Sequence, residues 1–101
     1  MEDALKNEIV RQIVKEYLSR GSDKEGGNIV RIFLSEIEQI FVGYNPEIVL
    51  LLLDELVAGF ADYVITIDKG NGRKETVSLF LRVGRDEQGY HFAVNKELRK
   101  I

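Results

Sequence analysis

Asn45-Pro46-Glu47-Ile48-Val49-Leu50-Leu51-Leu52-Leu53-Asp54-Glu55 sets six large aliphatic side chains in succession between a helix-start signal and a pair of acids. Asn45 can cap a helix, Pro46 can take the first helical position without losing an intrahelical hydrogen bond, and Glu47 complements the positive end of the helix dipole. Gly59 offers the stop. At about 100° per residue, Ile48, Val49, Leu52, Leu53, Leu56 and Phe60 form one broad face predicted to be buried, with Glu47, Asp54, Glu55 and Ala58 opposite. Leu51 falls within the polar strip and Leu50 at its border. The helix carries more apolar surface than one face can bury. It does not suit a membrane, because a spanning helix needs about 20 apolar residues and Asp54, Glu55 and Asp62 interrupt this one.

Upstream, Leu5, Ile9, Val10, Ile13, Val14, Tyr17 and Leu18 recur at helical spacing, which predicts an amphipathic first helix. Glu2 and Asp3 suit its start, Arg20 its end, and Gly21 its termination. Ser22-Asp23-Lys24-Glu25-Gly26-Gly27 reads as a flexible connection too short to separate domains. Residues 29–42 admit two readings. Ile29, Ile32, Phe33, Ile37, Ile40 and Phe41 keep one phase straight through Ser35, which favours a continuous helix. The β-branched start Ile29-Val30-Arg31-Ile32-Phe33 instead suits a short strand, and Ser35-Glu36-Ile37-Glu38 has capping-box form that would start a shorter helix at Glu36.

Downstream, three alternating stretches predict strands: Tyr63 to Ile67, Val77 to Val83, and Tyr90 to Val94. In the second, Val77, Leu79, Leu81 and Val83 form the expected core face, with Ser78, Phe80 and Arg82 outside. A two-residue Asn71-Gly72 turn would place Ile65 opposite Ser78, out of phase with the apolar faces. A three-residue Asn71-Gly72-Arg73 loop restores the phase: Ile67 faces Val77, Ile65 faces Leu79, Tyr63 faces Leu81 and Lys69 meets Glu75. A second turn is expected near Asp86-Glu87-Gln88-Gly89. Asn95 to Ile101 reads as a short helix or a frayed end.

The chain has 101 residues, 45% hydrophobic and 31% charged, which fits one folded domain over 1–101 rather than a disordered tail. It contains no cysteine, so no disulfide or thiolate metal site is expected, in keeping with a reducing cytoplasmic location. Met1-Glu2-Asp3-Ala4 is acidic and begins no signal peptide pattern. The net charge of -3 divides into -1 over residues 1–27, -4 over 28–61 and +2 over 62–101. The +2 balance is far below that of most nucleic-acid-binding domains.

Motif chemistry is sparse. Gly70-Asn71-Gly72 lacks a third glycine and a following helix, so a hairpin turn explains it better than a nucleotide loop. His91 is the single histidine and has no cysteine or carboxylate pattern around it for metal or base chemistry. No serine sits in a Gly-x-Ser-x-Gly elbow. No catalytic residue, cofactor or metal-ligand set is expected.

Leu34-Ser35-Glu36-Ile37 through Asn45-Pro46-Glu47, then Leu53 to Phe60 and a hairpin with a basic tip, resembles the order of a winged helix-turn-helix domain over residues 29–83. The resemblance implies a helix at 46–60 in the recognition position and a wing carrying Lys69, Arg73 and Lys74. Major-groove reading calls for arginine, asparagine or glutamine on the exposed face, and this helix offers Glu47, Leu51, Asp54, Glu55 and Ala58. A third strand after the wing pair departs from the pattern.

The expected architecture is α+β, three N-terminal helices packed on a three-stranded antiparallel β meander, with a winged-helix-like arrangement as one form of it. The leading functional expectation is a non-enzymatic protein–protein interaction module, homodimeric or bound to another protein, with Leu50 and Leu51 in or near the contact and Asp54 and Glu55 on its rim. In the competing account the third helix is enclosed in a monomeric core. The alternative from another class is a nucleic-acid-binding regulator using Lys69, Arg73, Lys74, Arg82 and Arg85. A third is a ligand site on an outer sheet face shared by Thr66, Phe80, Arg82 and His91. No membrane partner is expected.

Overall fold

In the computed structural model, which describes residues 2–19 and 28–100 with side chains over 3–19 and 28–98, helix α1 spans Glu2–Leu18. Leu5, Ile9, Ile13 and Tyr17 bury the stripe that their spacing announced. The expected roles of Arg20, Gly21 and the stretch 22–27 lie outside the described residues.

Residues 29–42 are not one helix. Strand β1 covers Ile29–Phe33, a 3-10 turn covers Leu34–Glu36, and a single α-turn, α2, covers Ile37–Ile40. Val30 and Ile32 are buried while Arg31 between them is exposed, which is strand periodicity. The apolar positions fit a helix equally well, but β1 pairs along its whole length with the strand at 89–94, and that long-range ladder settles the local ambiguity. The helical turn begins at Leu34, so Ser35 lies inside it and the expected capping box is not formed.

Helix α3, Pro46–Ala58, follows its sequence signals closely. The Asn45 side chain accepts a hydrogen bond from the Glu47 amide at 2.9 Å, Pro46 opens the first turn, and Gly59 caps the end.

The C-terminal half departs from a meander. Strands β2 (Val64–Gly70) and β3 (Arg73–Ser78) form a separate two-stranded hairpin. Strands β4 (Phe80–Arg85) and β5 (Gly89–Val94) join β1 in a three-stranded antiparallel sheet of order β1-β5-β4. The stretch 77–83 is thus two strands in two sheets, hinged at Leu79. The Leu79 amide donates to the Tyr63 carbonyl at 2.9 Å, and its own carbonyl accepts from the Asn95 amide at 2.8 Å, so it bridges the two sheets. The alternation breaks there: Leu79 and Phe80 are both buried, Leu81 sits in a bulge between the paired Phe80 and Arg82, and it faces outward. Phe80, expected outside, is in the core, and Leu81, expected inside, is not.

The first hairpin solves its phase problem differently from a three-residue loop. Asn71 and Gly72, with φ of 53° and 75°, form a two-residue turn that pairs Gly70 with Arg73. A bulge between Asp68 and Gly70 then leaves Lys69 as the extra residue, so that Ile67 faces Glu75 and Ile65 faces Val77. Both solutions supply one odd residue; the chain places it in the strand rather than in the loop. Lys69 still reaches Glu75, at 3.4 Å.

The second turn falls where expected, with Asp86 Oδ1 accepting from the amides of Gln88 at 2.8 Å and Gly89 at 3.1 Å. Gly89 has no room for a side chain, since a Cβ there would lie 2.1 Å from the Ile32 carbonyl oxygen across the ladder. The end of the chain forms a 3-10 turn over Lys96–Lys100, started by Asn95 accepting from the Glu97 amide at 3.0 Å. One core joins α1, β1, α2, α3, β4 and β5, with Phe80 and Phe92 packed ring to ring at 5.4 Å.

Candidate functional site

The third helix is held by its two flanks. Val49, Leu52, Leu53 and Leu56 are buried, and Leu50 and Val57 are half-buried against the core on the side of the sheet. On that side Asp54 Oδ1 accepts from the Tyr90 hydroxyl at 2.7 Å and from the Arg85 guanidinium at 2.7 Å. The Arg85 guanidinium also lies over the Tyr90 ring, 5.2 Å from its centre, and so closes a three-residue unit. Burial pushes the Tyr90 phenol up to about 12, and the hydrogen bond to Asp54 adds to the effect. On the other flank Glu55 pairs with Lys6 of α1 at 3.2 Å, and that hydrogen bond holds Lys6 above the ordinary lysine range.

Asp54 and Glu55 therefore act as struts that set the rotation of α3. With them fixed to the sheet and to α1, the face turned to solvent carries Glu47, Ile48, Leu51, Glu55 and Ala58. Leu51 is 55% exposed and Ile48 42% exposed, and as residues three apart they are neighbours on the helix surface. The helical period places Ile48 on the face expected to be buried. The helical wheel gave its angle correctly, but the neighbouring elements do not reach around far enough to cover it. Val42 and Tyr44, 76% and 45% exposed, stand in the turn that leads into this helix. Leu50, grouped with Leu51 from sequence, belongs to the half-buried flank.

The basic residues are not gathered on one surface. Lys69, Arg73 and Lys74 are at the tip of the β2–β3 hairpin, Arg82 is on the outer face of the three-stranded sheet, and Arg85 is turned toward α3. Two of them, Lys69 and Arg85, are in ion pairs. The outer-face group separates as well: Thr66 lies in the hairpin, Phe80 in the core, and Arg82 and His91 alone share the sheet face, where the imidazole rests against Gly84. Among the described residues no cluster of histidine and acids forms a metal-binding set, and no helix is long and apolar enough to cross a membrane.

Comparison with family models, curated proteins and solved structures returned no match. Sequence reasoning missed the Asp54–Tyr90–Arg85 unit because Asp54 lies more than thirty residues from both partners and no local pattern links them.

Proposed function

We propose that the chain is a non-enzymatic interaction module that self-associates through the outer face of α3. The observation that carries this reading is the exposure of Leu51 beside Ile48 on a helix whose Asp54 and Glu55 are paired with the sheet and with α1. Two adjacent aliphatic side chains rimmed by Glu47 and Glu55, with Val42 and Tyr44 also exposed in the turn that enters the helix, make an apolar surface of the kind that marks contacts. A second copy is the partner of choice because a two-fold axis near Leu51 would lay that surface against itself, with Leu51 and Ile48 of each copy covering those of the other.

The order α1, β1, α2, α3 and then a hairpin supports a winged-helix-like reading of the architecture. In that reading the helix in the recognition position has a face of Glu47, Ile48, Leu51, Glu55 and Ala58, which suits another protein surface and repels phosphate.

The test is light scattering on the native chain and on Leu51→Glu. The native chain is expected at a mass of twice 11.5 kDa and the variant at 11.5 kDa, with unchanged circular dichroism. A native chain that stays monomeric at high concentration would remove the proposal.

A further inference from the structure

Val30, Arg31 and Ile32 of β1 line a cleft of about 310 Å³ together with Ile13 of α1 and with Glu36 and Ile40 around α2. Successive strand residues point to opposite faces of a sheet. A cleft that touches three in a row, and no residue of β5, must run along the strand's edge. Strand β1 is an outer strand, so among the described residues that edge has no neighbour in the sheet.

The ladder fixes which groups face it. The Val94 amide donates to the Asn28 carbonyl and the Leu34 amide donates to the Gln88 carbonyl, each at 2.8 Å. Antiparallel pairing alternates, so Val30 and Ile32 bond to β5, while Arg31 and Phe33 turn their N–H and C=O away from it. No described residue bonds to the outward N–H and C=O of Arg31.

We infer that this edge accepts an extended peptide segment of another protein by strand addition, and that the segment carries a lysine or arginine. The backbone of Arg31 offers a donor and an acceptor at strand spacing, which an extended chain matches and a helix does not. Ile13 and Ile40 give the cleft apolar walls for an alternate side chain, and its volume is within the usual range of ligand clefts, about 300–1,000 Å³. Glu36 supplies the charge that selects a basic residue. Arg31 does not neutralise it, because the Arg31 guanidinium lies 3.9 Å from Asp86 on the other side of the strand. The site is separate from α3 and stands whether or not the chain self-associates.

The test selects displayed random peptides on the full-length chain and measures the best synthetic peptide by fluorescence anisotropy and amide exchange. Expected are peptides that alternate apolar and basic residues, loss of binding when the peptide's alternate backbone amides are methylated, and exchange at the Arg31 amide slowed at least about tenfold on binding. Glu36→Lys should weaken binding about tenfold, and Leu51→Glu should leave it unchanged. Selection of no peptide above background overturns the inference, as does a bound peptide that protects α3 or the hairpin tip instead of Arg31. Arg31 already protected in the peptide-free chain by a second copy also overturns it. The peptide and exchange measurements use the native chain, so they decide the matter even if Glu36→Lys does not fold.

Discussion

The Tyr90 hydroxyl and the Arg85 guanidinium donate to the same oxygen of Asp54, each at 2.7 Å. That shared acceptor ties α3 to β4 and β5 at once. Asp54→Ala would leave the phenol of a buried tyrosine only the Leu50 carbonyl, at 3.5 Å, and should destabilise the fold by about 2 kcal/mol. Glu55→Ala removes only a half-exposed ion pair and should cost within about 1 kcal/mol. Urea midpoints of the two variants check the difference, and equal midpoints would show that Asp54 carries no special load.

Alkaline pH probes the same unit. The Tyr90 phenol titrates at about 12 in the folded chain, against about 10 for an unperturbed tyrosine. A raised folded value means that its stabilisation is complete below about pH 10 and is lost as pH climbs toward about 12, because the unfolded state gives up the proton first. The loss should be on the order of 2 kcal/mol. Tyr90→Phe should lower stability near neutral pH by about 1 kcal/mol and flatten the alkaline slope relative to the native chain. Unfolding curves for both proteins between about pH 8 and 12 supply the comparison; parallel slopes would contradict the assignment.

The hairpin bulge makes a prediction about chain length. Deleting Lys69 removes the extra residue and leaves Ile67 opposite Glu75 and Ile65 opposite Val77, so stability should change by less than about 1 kcal/mol. Deleting Lys74 takes a residue from the opposite strand, so a regular hairpin sets Ile67 against Val77 and Ile65 against Leu79, two residues off the native register, and draws Leu79 away from the Tyr63 carbonyl. It should cost at least about 2 kcal/mol. Thermal melts of the two deletions, showing one near the native curve and one well below it, would support the register; the reverse order would refute it.

Salt separates the two leading functional classes. Apposing α3 with its copy brings Glu47 and Glu55 of both chains toward one another, so screening should strengthen self-association as ionic strength rises. Nucleic-acid binding through Lys69, Arg73, Lys74 and Arg82 would weaken steeply over the same range. Sedimentation at low and high salt, with and without an oligonucleotide, reads both trends in one series.

Much of the fold is visible in the residues themselves. α1 shows its periodic apolar face, α3 carries its cap at Asn45, its apolar face and its stop at Gly59, and β5 shows its buried side in Tyr90, Phe92 and Val94. What escaped is long-range. Ile29 to Phe33 fits a helix or a strand until β5 is there to pair with it, and no pattern marks Leu79 as the point where the chain changes sheets. The candidate site was half legible: Leu51 stood out by its angle, whereas the exposure of Ile48 depends on how far α1 and the sheet extend around α3. The roles of Asp54 and Glu55 depend on Tyr90, Arg85 and Lys6, partners that only the folded chain brings near.

The most direct measurement uses the absence of cysteine, which makes a thiol introduced at Leu51→Cys unique in the chain. Its rate of alkylation is followed as protein concentration rises, beside a control thiol at Lys74→Cys on the hairpin tip. A contact through the outer face of α3 predicts a rate at position 51 that falls with concentration while the control stays constant. Equal and concentration-independent rates at both positions would contradict it.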